Sequence, residues 1–395
     1  MKELINKGEN YIMHTYGRFP IVLSHGEGVY LYDTEGKQYL DMYAGIAVNA
    51  FGYGYEPLTT AIKNQVDQML HVSNYYYTEN LIEASKLLVE NSIFSKVFFC
   101  NSGAEANEAA LKLAKKYGKM KNENKNQIIA MNKSFHGRTQ GALSVTAQEK
   151  YQKSFLPLIP HVHNGEYNNL ESVKALMNEQ TCAVIVEVIQ GEGGIIPGTK
   201  EFLQGIEALC KEYDALMIVD EVQTGIGRTG SLFAFEQLDI HPDIVTMAKG
   251  LGGGVPIGAM ACNERADIFV PGDHASTFGG NPLATAAAKV VLLELLANNR
   301  LEHVKEIGAY LTSKLKALQE TFPDVIKDIR GLGLMQGVEM TLPVIDVEKE
   351  CIKEGMLIVA AGTNVLRFVP PLVITKAHVD EAMTILGKVL SKLTK

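Results

Sequence analysis

Through the middle of the chain, short runs of apolar residues alternate with longer stretches that are apolar on one face only. Ala183–Glu187 reads AVIVE, Ala215–Glu221 reads ALMIVDE and Asp243–Lys249 reads DIVTMAK. Each run is short and rich in β-branched residues, and glycines follow it, which predicts a buried strand entering a loop. None alternates strictly between polar and apolar, the pattern of parallel strands covered on both faces. From residue 97 to 262 such runs alternate with helical stretches, which predicts βαβ units and a parallel sheet.

The flanks read differently. Gly26 to Asp41 alternates around Thr34-Glu35-Gly36-Lys37 and predicts a hairpin. Helical spacing covers Leu58–Leu70, Ala284–Leu296, Leu301–Leu318 and His378–Leu393, the last with Ala382, Ile385, Leu386 and Val389 on one face. Gly331–Met340 and Val365–Val369 each read as one strand. This gives an α/β chain with a large domain at 51–285, a smaller α+β domain at 286–395, and an N-terminal segment, 1–50, that packs with the small domain. A length of 395 residues accommodates that division.

Composition narrows the class. Charged residues make up 21% and the net charge is −8, without the basic stripe of a nucleic-acid surface. The basic stretch Lys112–Lys125 reads as an exposed helix end plus a loop. The five cysteines are scattered, form no C-x-x-C and lie in apolar runs, so they read as small core residues in a reducing compartment. No apolar run has the length of a membrane span and the N-terminus has no apolar signal region, so the expected location is cytoplasmic. Tyr75-Tyr76-Tyr77 could line a pocket or a subunit interface, but reads most simply as core. His161-x-His163 has no third ligand at a matching spacing and reads as a loop, so no metal is expected.

Charged residues close the central runs. At the carboxyl ends of parallel strands, Glu187, Asp220 and Lys249 would meet in the crevice where such sheets bind ligands. A carboxylate and a lysine beside glycine loops suit a cofactor with a basic ring nitrogen, a phosphate and an aldehyde, which describes pyridoxal phosphate. Asp220 closes a run too apolar to bury an unpaired carboxylate cheaply. Bonded to a protonated pyridine nitrogen it would be satisfied, although a structural ion pair is the plain alternative. Gln223 lies three residues on. Lys249 is a candidate Schiff-base residue, its amine freed by burial, or else a lysine capping a phosphate loop. Gly193–Lys200 misses the P-loop order and Gly250–Gly254 misses G-x-G-x-x-G, so neither nucleotide pattern holds. Ser102-Gly103-Ala104-Glu105 fits a capping box at a helix start whose free N–H groups suit phosphate; an ordinary capped helix is the alternative. Phe135 could stack on a planar ring and Arg138 could grip a carboxylate, or the two are a core aromatic and a surface arginine.

Taken together, these segments resemble the class III aminotransferases, pyridoxal-phosphate enzymes of fold type I. The resemblance is carried by NSGAEANEAALKLA (101–114), SFHGRT (134–139), EVIQGEGG (187–194), DEVQTGIGRTG (220–230), AKGLGGGVPIGA (248–259), STFGGNPLA (276–284) and NVLRFVPP (364–371). It spans almost the whole chain, with Val188 where many relatives have proline. It implies a large domain with a mostly parallel seven-stranded sheet, a smaller α+β domain, and a homodimer with shared active sites. It also implies roles. Lys249 forms the Schiff base and shuttles a proton, Asp220 holds the ring nitrogen and Gln223 contacts the ring oxygen. Ser102, Gly103 and Ala104 bind phosphate, joined by Thr277 from the partner subunit, while Phe135, His136 and Val222 line the ring. Arg138, Ser276 and Tyr16 face the substrate, and Arg367 binds a carboxylate that Glu187 replaces as its ion-pair partner in the other half-reaction. YLYDTEGKQYLDMYAGIAVNAFGY (30–53), HVSNYYYTEN (71–80) and AAGTNVLRFVPPLVIT (360–375) are most similar to members that act on N2-acetyl-L-ornithine with 2-oxoglutarate as acceptor. Members acting on ornithine or 4-aminobutyrate share most of the motifs. The alternative from another class is a non-catalytic protein that binds a phosphate ligand.

Overall fold

The computed structural model describes residues 1–394. After an N-terminal helix, Lys2–Tyr11, the chain forms an antiparallel meander, β1 (Leu23–Glu27), β2 (Tyr30–Asp33) and β3 (Gln38–Asp41). The β2–β3 turn falls on Thr34–Lys37, as the alternation predicts. Asp33 Oδ1 secures it by accepting from the N–H groups of Glu35 and Lys37, the local bonding that suits aspartate to turns.

Next come β4 (Lys96–Cys100), β5 (Gln127–Met131), β6 (Val162–Gly165) and β7 (Thr181–Glu187), then a short hairpin of β8 (Ile189–Gln190) and β9 (Ile196–Pro197). β10 (Leu216–Asp220), β11 (Ile244–Met247) and β12 (Gly258–Cys262) complete a seven-stranded sheet in the order β4-β12-β11-β10-β7-β5-β6. β12 runs antiparallel to both neighbours and the other pairs are parallel. Every residue of β5, β7 and β10 is buried. The period of two survives inside these apolar runs. Val184, Val186, Met217 and Val219 join one half of the core with Phe202, Leu203 and Ile206 of the helix Lys200–Glu212. Ala183, Ile185, Leu216 and Ile218 join the other half with Ala109, Ala110, Leu113 and Tyr117 of the helix Gly103–Lys121. Both faces are apolar because both are covered.

The C-terminal part holds β13 (Ile326–Leu332), β14 (Met335–Met340), β15 (Met356–Leu357), β16 (Val359–Ala361) and β17 (Val365–Phe368). Four of these form an antiparallel sheet, β13-β14-β17-β16. β15 instead pairs in parallel with β3, joining the N-terminal meander to this part of the chain.

Several expectations need correction. The single strand at Gly331–Met340 is the end of one strand, a turn and a second strand. Gly331 and Gly333 take φ of 137° and 56°, values that favour glycine, and a Cβ on Gly333 would lie 2.7 Å from the Thr229 carbonyl carbon. The basic stretch is not wholly exposed: Lys125 is buried and donates to the Tyr213 carbonyl at 2.7 Å. His163 lies on edge strand β6 and not in a loop. Tyr75, Tyr76 and Tyr77 are 93%, 67% and 88% exposed, so they are not core. All five cysteines are buried and unpaired. Among the described residues no helix is long and apolar enough to cross a membrane.

Candidate active site

A cavity of about 490 Å³ opens at the carboxyl ends of β7, β10 and β11. Parallel register places Glu187 beside Asp220, and Asp220 beside Thr246. The loops after these strands then bring Glu187, Asp220 and Lys249 to one cavity wall, so the convergence expected from the three runs is present.

Donors surround Asp220. Its Oδ1 accepts from the Val222 N–H at 2.9 Å, and its Oδ2 accepts from Asn107 Nδ2 at 2.8 Å. His136 Nδ1 lies 2.7 Å from the same Oδ2. Burial alone would lower the His136 pKa, but the bond to Asp220 outweighs it and leaves the imidazole above its usual value. With its proton on Nδ1 the ring donates to the carboxylate. His136 Nε2 is buried and has no partner among the described residues.

Among the described residues Glu187 meets no cation at bonding distance. Oε2 accepts from the Phe135 N–H at 3.2 Å and Oε1 from the Gly191 N–H at 3.3 Å. Burial raises its pKa to about 8; the His136 charge opposes the shift and the Asp220 charge adds to it. Glu187 is therefore a largely protonated acid at neutral pH.

Lys249 begins a 3₁₀ turn, Lys249–Gly252, with φ of 43°. A non-glycine residue in this left-handed region carries about 1–3 kcal/mol of strain, which the surrounding structure must offset. Burial lowers its ammonium pKa to about 8, against the opposing pull of Glu192. A fraction of the amine is then unprotonated and nucleophilic near neutral pH.

The helix Gly103–Lys121 points its N-terminus at the cavity. The capping box is only half formed. Ser102 Oγ accepts from the Glu105 N–H at 3.2 Å, as expected, but Glu105 Oε2 reaches past Ser102 to the Asn101 N–H at 2.7 Å. Gly103 and Ala104 line the cavity with N–H groups that have no partner within the helix. A Cβ on Gly103 would lie 2.7 Å from Val222 Cγ1, so the loop has no room for a larger residue.

The arginine side departs from expectation. Arg367, on β17, is 1% exposed. Its Nη1 donates to Glu192 Oε1 at 2.5 Å and to Gln223 Oε1 at 3.0 Å, and its Nη2 to the Ala360 carbonyl. Its ion-pair partner is thus Glu192, in the β8–β9 hairpin loop, and not Glu187, whose carboxylate is turned toward the backbone at the strand end. Burial alone would raise the Glu192 pKa, but Arg367 and then Lys249 outweigh it and hold the carboxyl below its usual value. Gln223 is engaged with the same arginine.

Arg138 lies over the Tyr151 ring at 3.8 Å and the Phe135 ring at 5.5 Å. Cation and rings stabilise each other there, and Phe135 and Arg138 line the cavity. Ser276 bonds to Asn101 at 3.1 Å without lining the cavity. Thr277 and Tyr16 are exposed and lie outside it. Sequence reasoning passed over Asn107, Thr246 and Glu192. The asparagine is a polar residue inside an alanine helix face, and the glutamate stands five residues after Glu187 among glycines; both signals were present.

Pyridoxal phosphate requires an uncharged amine, a carboxylate for its ring nitrogen and donors for its phosphate. Lys249 supplies the depressed amine, Asp220 a fixed carboxylate, and Gly103 and Ala104 the free N–H groups on a helix dipole, so these residues fit the group. The chain matches the family model for aminotransferase class-III over residues 11–390. It is 50% identical to the acetylornithine aminotransferase of Clostridium acetobutylicum, across 95% of this chain and 98% of that one. The N-acetylornithine aminotransferase of Stenotrophomonas maltophilia superimposes with a TM-score of 0.85 at 33% identity, covering 99% of both chains. The ornithine aminotransferase of Toxoplasma gondii, crystallised with oxidised glutathione and holding pyridoxal phosphate at partial occupancy, gives 0.94 at 31%, covering 100% of this chain and 96% of that one. The sheet, the lysine–aspartate crevice and a family match over nearly the full length agree: the chain belongs to the class III aminotransferases.

Proposed function

We propose that this aminotransferase moves the δ-amino group of N2-acetyl-L-ornithine to 2-oxoglutarate, giving N-acetyl-L-glutamate 5-semialdehyde and L-glutamate, as in arginine biosynthesis. The observation that carries the reading is the Arg367–Glu192 pair on the wall that also holds Lys249. A site that alternates substrates must bind a carboxylate in one half-reaction and an uncharged arm in the other. Arg367 takes the α-carboxylate of the oxo acid when Glu192 yields, and Glu192 keeps the guanidinium paired when no such carboxylate is there, so the buried cation is never stranded.

Bound pyridoxal phosphate supplies an aldehyde that exchanges amino groups and a ring that withdraws electrons. The chain does the rest. Ser102, Gly103 and Ala104 hold the phosphate, Asp220 presents its carboxylate to the ring nitrogen, and Phe135, His136 and Val222 pack the ring. Lys249 Nζ removes and returns the proton at the carbon bearing the exchanged nitrogen. Arg138 holds the α-carboxylate of the acylated donor. The acetyl preference rests on the identity to the Clostridium protein, higher than to any ornithine-specific structure named above.

Residues 51–285 are taken as the cofactor-holding domain and 286–395 as the small domain, with 1–50 packed on it; the β3–β15 pairing supports this. Dimers with shared sites are part of this reading, supported by Thr277, which lies outside its own chain's cavity, and by the exposed Tyr75–Tyr77 face. Five unpaired buried cysteines support a cytoplasmic setting.

The deciding measurement is kcat/KM for N-acetylornithine, ornithine and 4-aminobutyrate with 2-oxoglutarate as acceptor. A preference for the acetylated donor of about tenfold or more, roughly 1.4 kcal/mol of differential transition-state binding, is expected. A preference for either free amine would overturn the substrate assignment. Borohydride treatment should attach reduced cofactor to Lys249; a colourless protein that cannot be reconstituted would favour the non-catalytic alternative.

A further inference from the structure

Asn107 sits on the helix face formed by Ala106, Ala109 and Ala110, where a polar amide is costly to bury. It is 1% exposed, and each of its polar atoms is engaged. Oδ1 accepts from Thr246 Oγ1 at 2.7 Å, while Nδ2 donates to the His136 carbonyl at 2.7 Å and to Asp220 Oδ2 at 2.8 Å. Thr246 is fully buried in β11, in register with Asp220 on β10, and its hydroxyl is linked to the aspartate's carboxylate through Asn107.

This pattern fixes which way the amide points. Its oxygen faces a hydroxyl donor and its nitrogen faces two acceptors, so a flipped amide would set oxygen against oxygen twice. We propose that Thr246 and Asn107 are positioning residues for the transamination: Thr246 locks the Asn107 amide, and Asn107 locks the rotation of the Asp220 carboxylate that faces the cofactor ring. The inference rests on the proposed role of Asp220. The rest of Asp220's hydrogen bonding does not make the relay redundant. The Val222 N–H holds the other oxygen and His136 shares Oδ2, so without Asn107 the carboxylate can swing toward the imidazole. Strand and helix carry the two relay residues rigidly, as preorganisation of a charged group requires.

The test compares Thr246→Val, which keeps the β-branched shape but lacks the donor, with Thr246→Ser, which keeps the donor. Four quantities are read: the affinity of the apoenzyme for pyridoxal phosphate, the pH midpoint of the bound cofactor's visible band, kcat, and KM for both substrates. Thr246→Val should lower kcat about tenfold, move the band's midpoint by about half a pH unit, weaken cofactor binding several-fold and leave both KM values within about twofold. Thr246→Ser should keep all four near wild type. A Thr246→Val enzyme with wild-type kcat and an unmoved midpoint would overturn the relay, as would a serine variant as impaired as the valine, since packing alone would then explain the loss. Should the valine variant be unstable, Thr246→Ala against Thr246→Ser makes the same comparison. A wild-type protein that neither binds the cofactor nor transaminates would remove the proposed function, and the relay with it.

Discussion

Two glutamates five residues apart do different work at the residue scale. Glu192 pairs with Arg367 at the cavity wall, whereas Glu187 is buried against two backbone N–H groups. Glu192→Gln should therefore slow the acetylornithine half-reaction about tenfold or more while sparing the 2-oxoglutarate half-reaction, as single-turnover absorbance of each would show. Equal losses in both half-reactions would count against the alternating pair. Glu187 carries a pH signature instead. Its pKa, raised to about 8, means the folded state holds a proton between pH 4.5 and 8 that the unfolded chain does not. Stability contributed by this group falls as pH rises through that window, by several kcal/mol to order of magnitude. Glutamine in its place stays neutral, at the constant cost of one lost acceptor. The melting temperature of apo Glu187→Gln relative to wild type should therefore climb from pH 5 to pH 9, and a flat difference would refute the buried acid. Asp220 and Lys249 were legible in the sequence because a charge closing an apolar run is anomalous by itself. The arginine's partner was not, because two glutamates flank the same glycines and only the hairpin's fold decides which one faces β17.

Elements were legible wherever one pattern ruled. Apolar runs gave β7, β10 and β11, and helical spacing gave Lys376–Leu393 within two residues of its observed start. Gly331–Met340 misled because glycines inside an apolar run carry two meanings, a strand interior or a turn, and here the contact with Thr229 selects the turn. The same close packing shapes the end of the cavity proposed to hold phosphate. Gly258, on antiparallel β12, lies so near the Ser102 carbonyl that an added Cβ would stand 2.2 Å from its oxygen. Backbone must then shift, at about 1–3 kcal/mol for overpacking. Gly258→Ala should weaken pyridoxal phosphate binding about tenfold, read by absorbance titration of the apoenzyme, because the displaced carbonyl belongs to the residue that caps the phosphate helix. Unchanged affinity would mean that the loop is softer than its packing suggests.

At the scale of the whole molecule, one chain's sequence carries least about what lies beyond that chain. Tyr75–Tyr77 reads as core on hydrophobicity alone, yet the three rings face outward with Phe278, 59% exposed. An apolar face of this kind is resolved most simply by a second copy, and a two-fold arrangement lets each chain complete the other's site. Thr277, proposed to serve the partner's site, lies outside its own cavity. Lys249→Ala and Thr277→Asp should each be nearly inactive alone, the first lacking the amine and the second setting a negative charge against the phosphate. Mixed after unfolding and refolded together, the two chains should recover activity. Each hybrid dimer would hold one doubly damaged site and one intact site, with Lys249 from one subunit and Thr277 from the other. Random pairing makes half the dimers hybrids, so recovery should approach about a quarter of wild type. If each chain instead served its own site, every site in every pairing would remain damaged, and the mixture would show no more activity than the two variants apart.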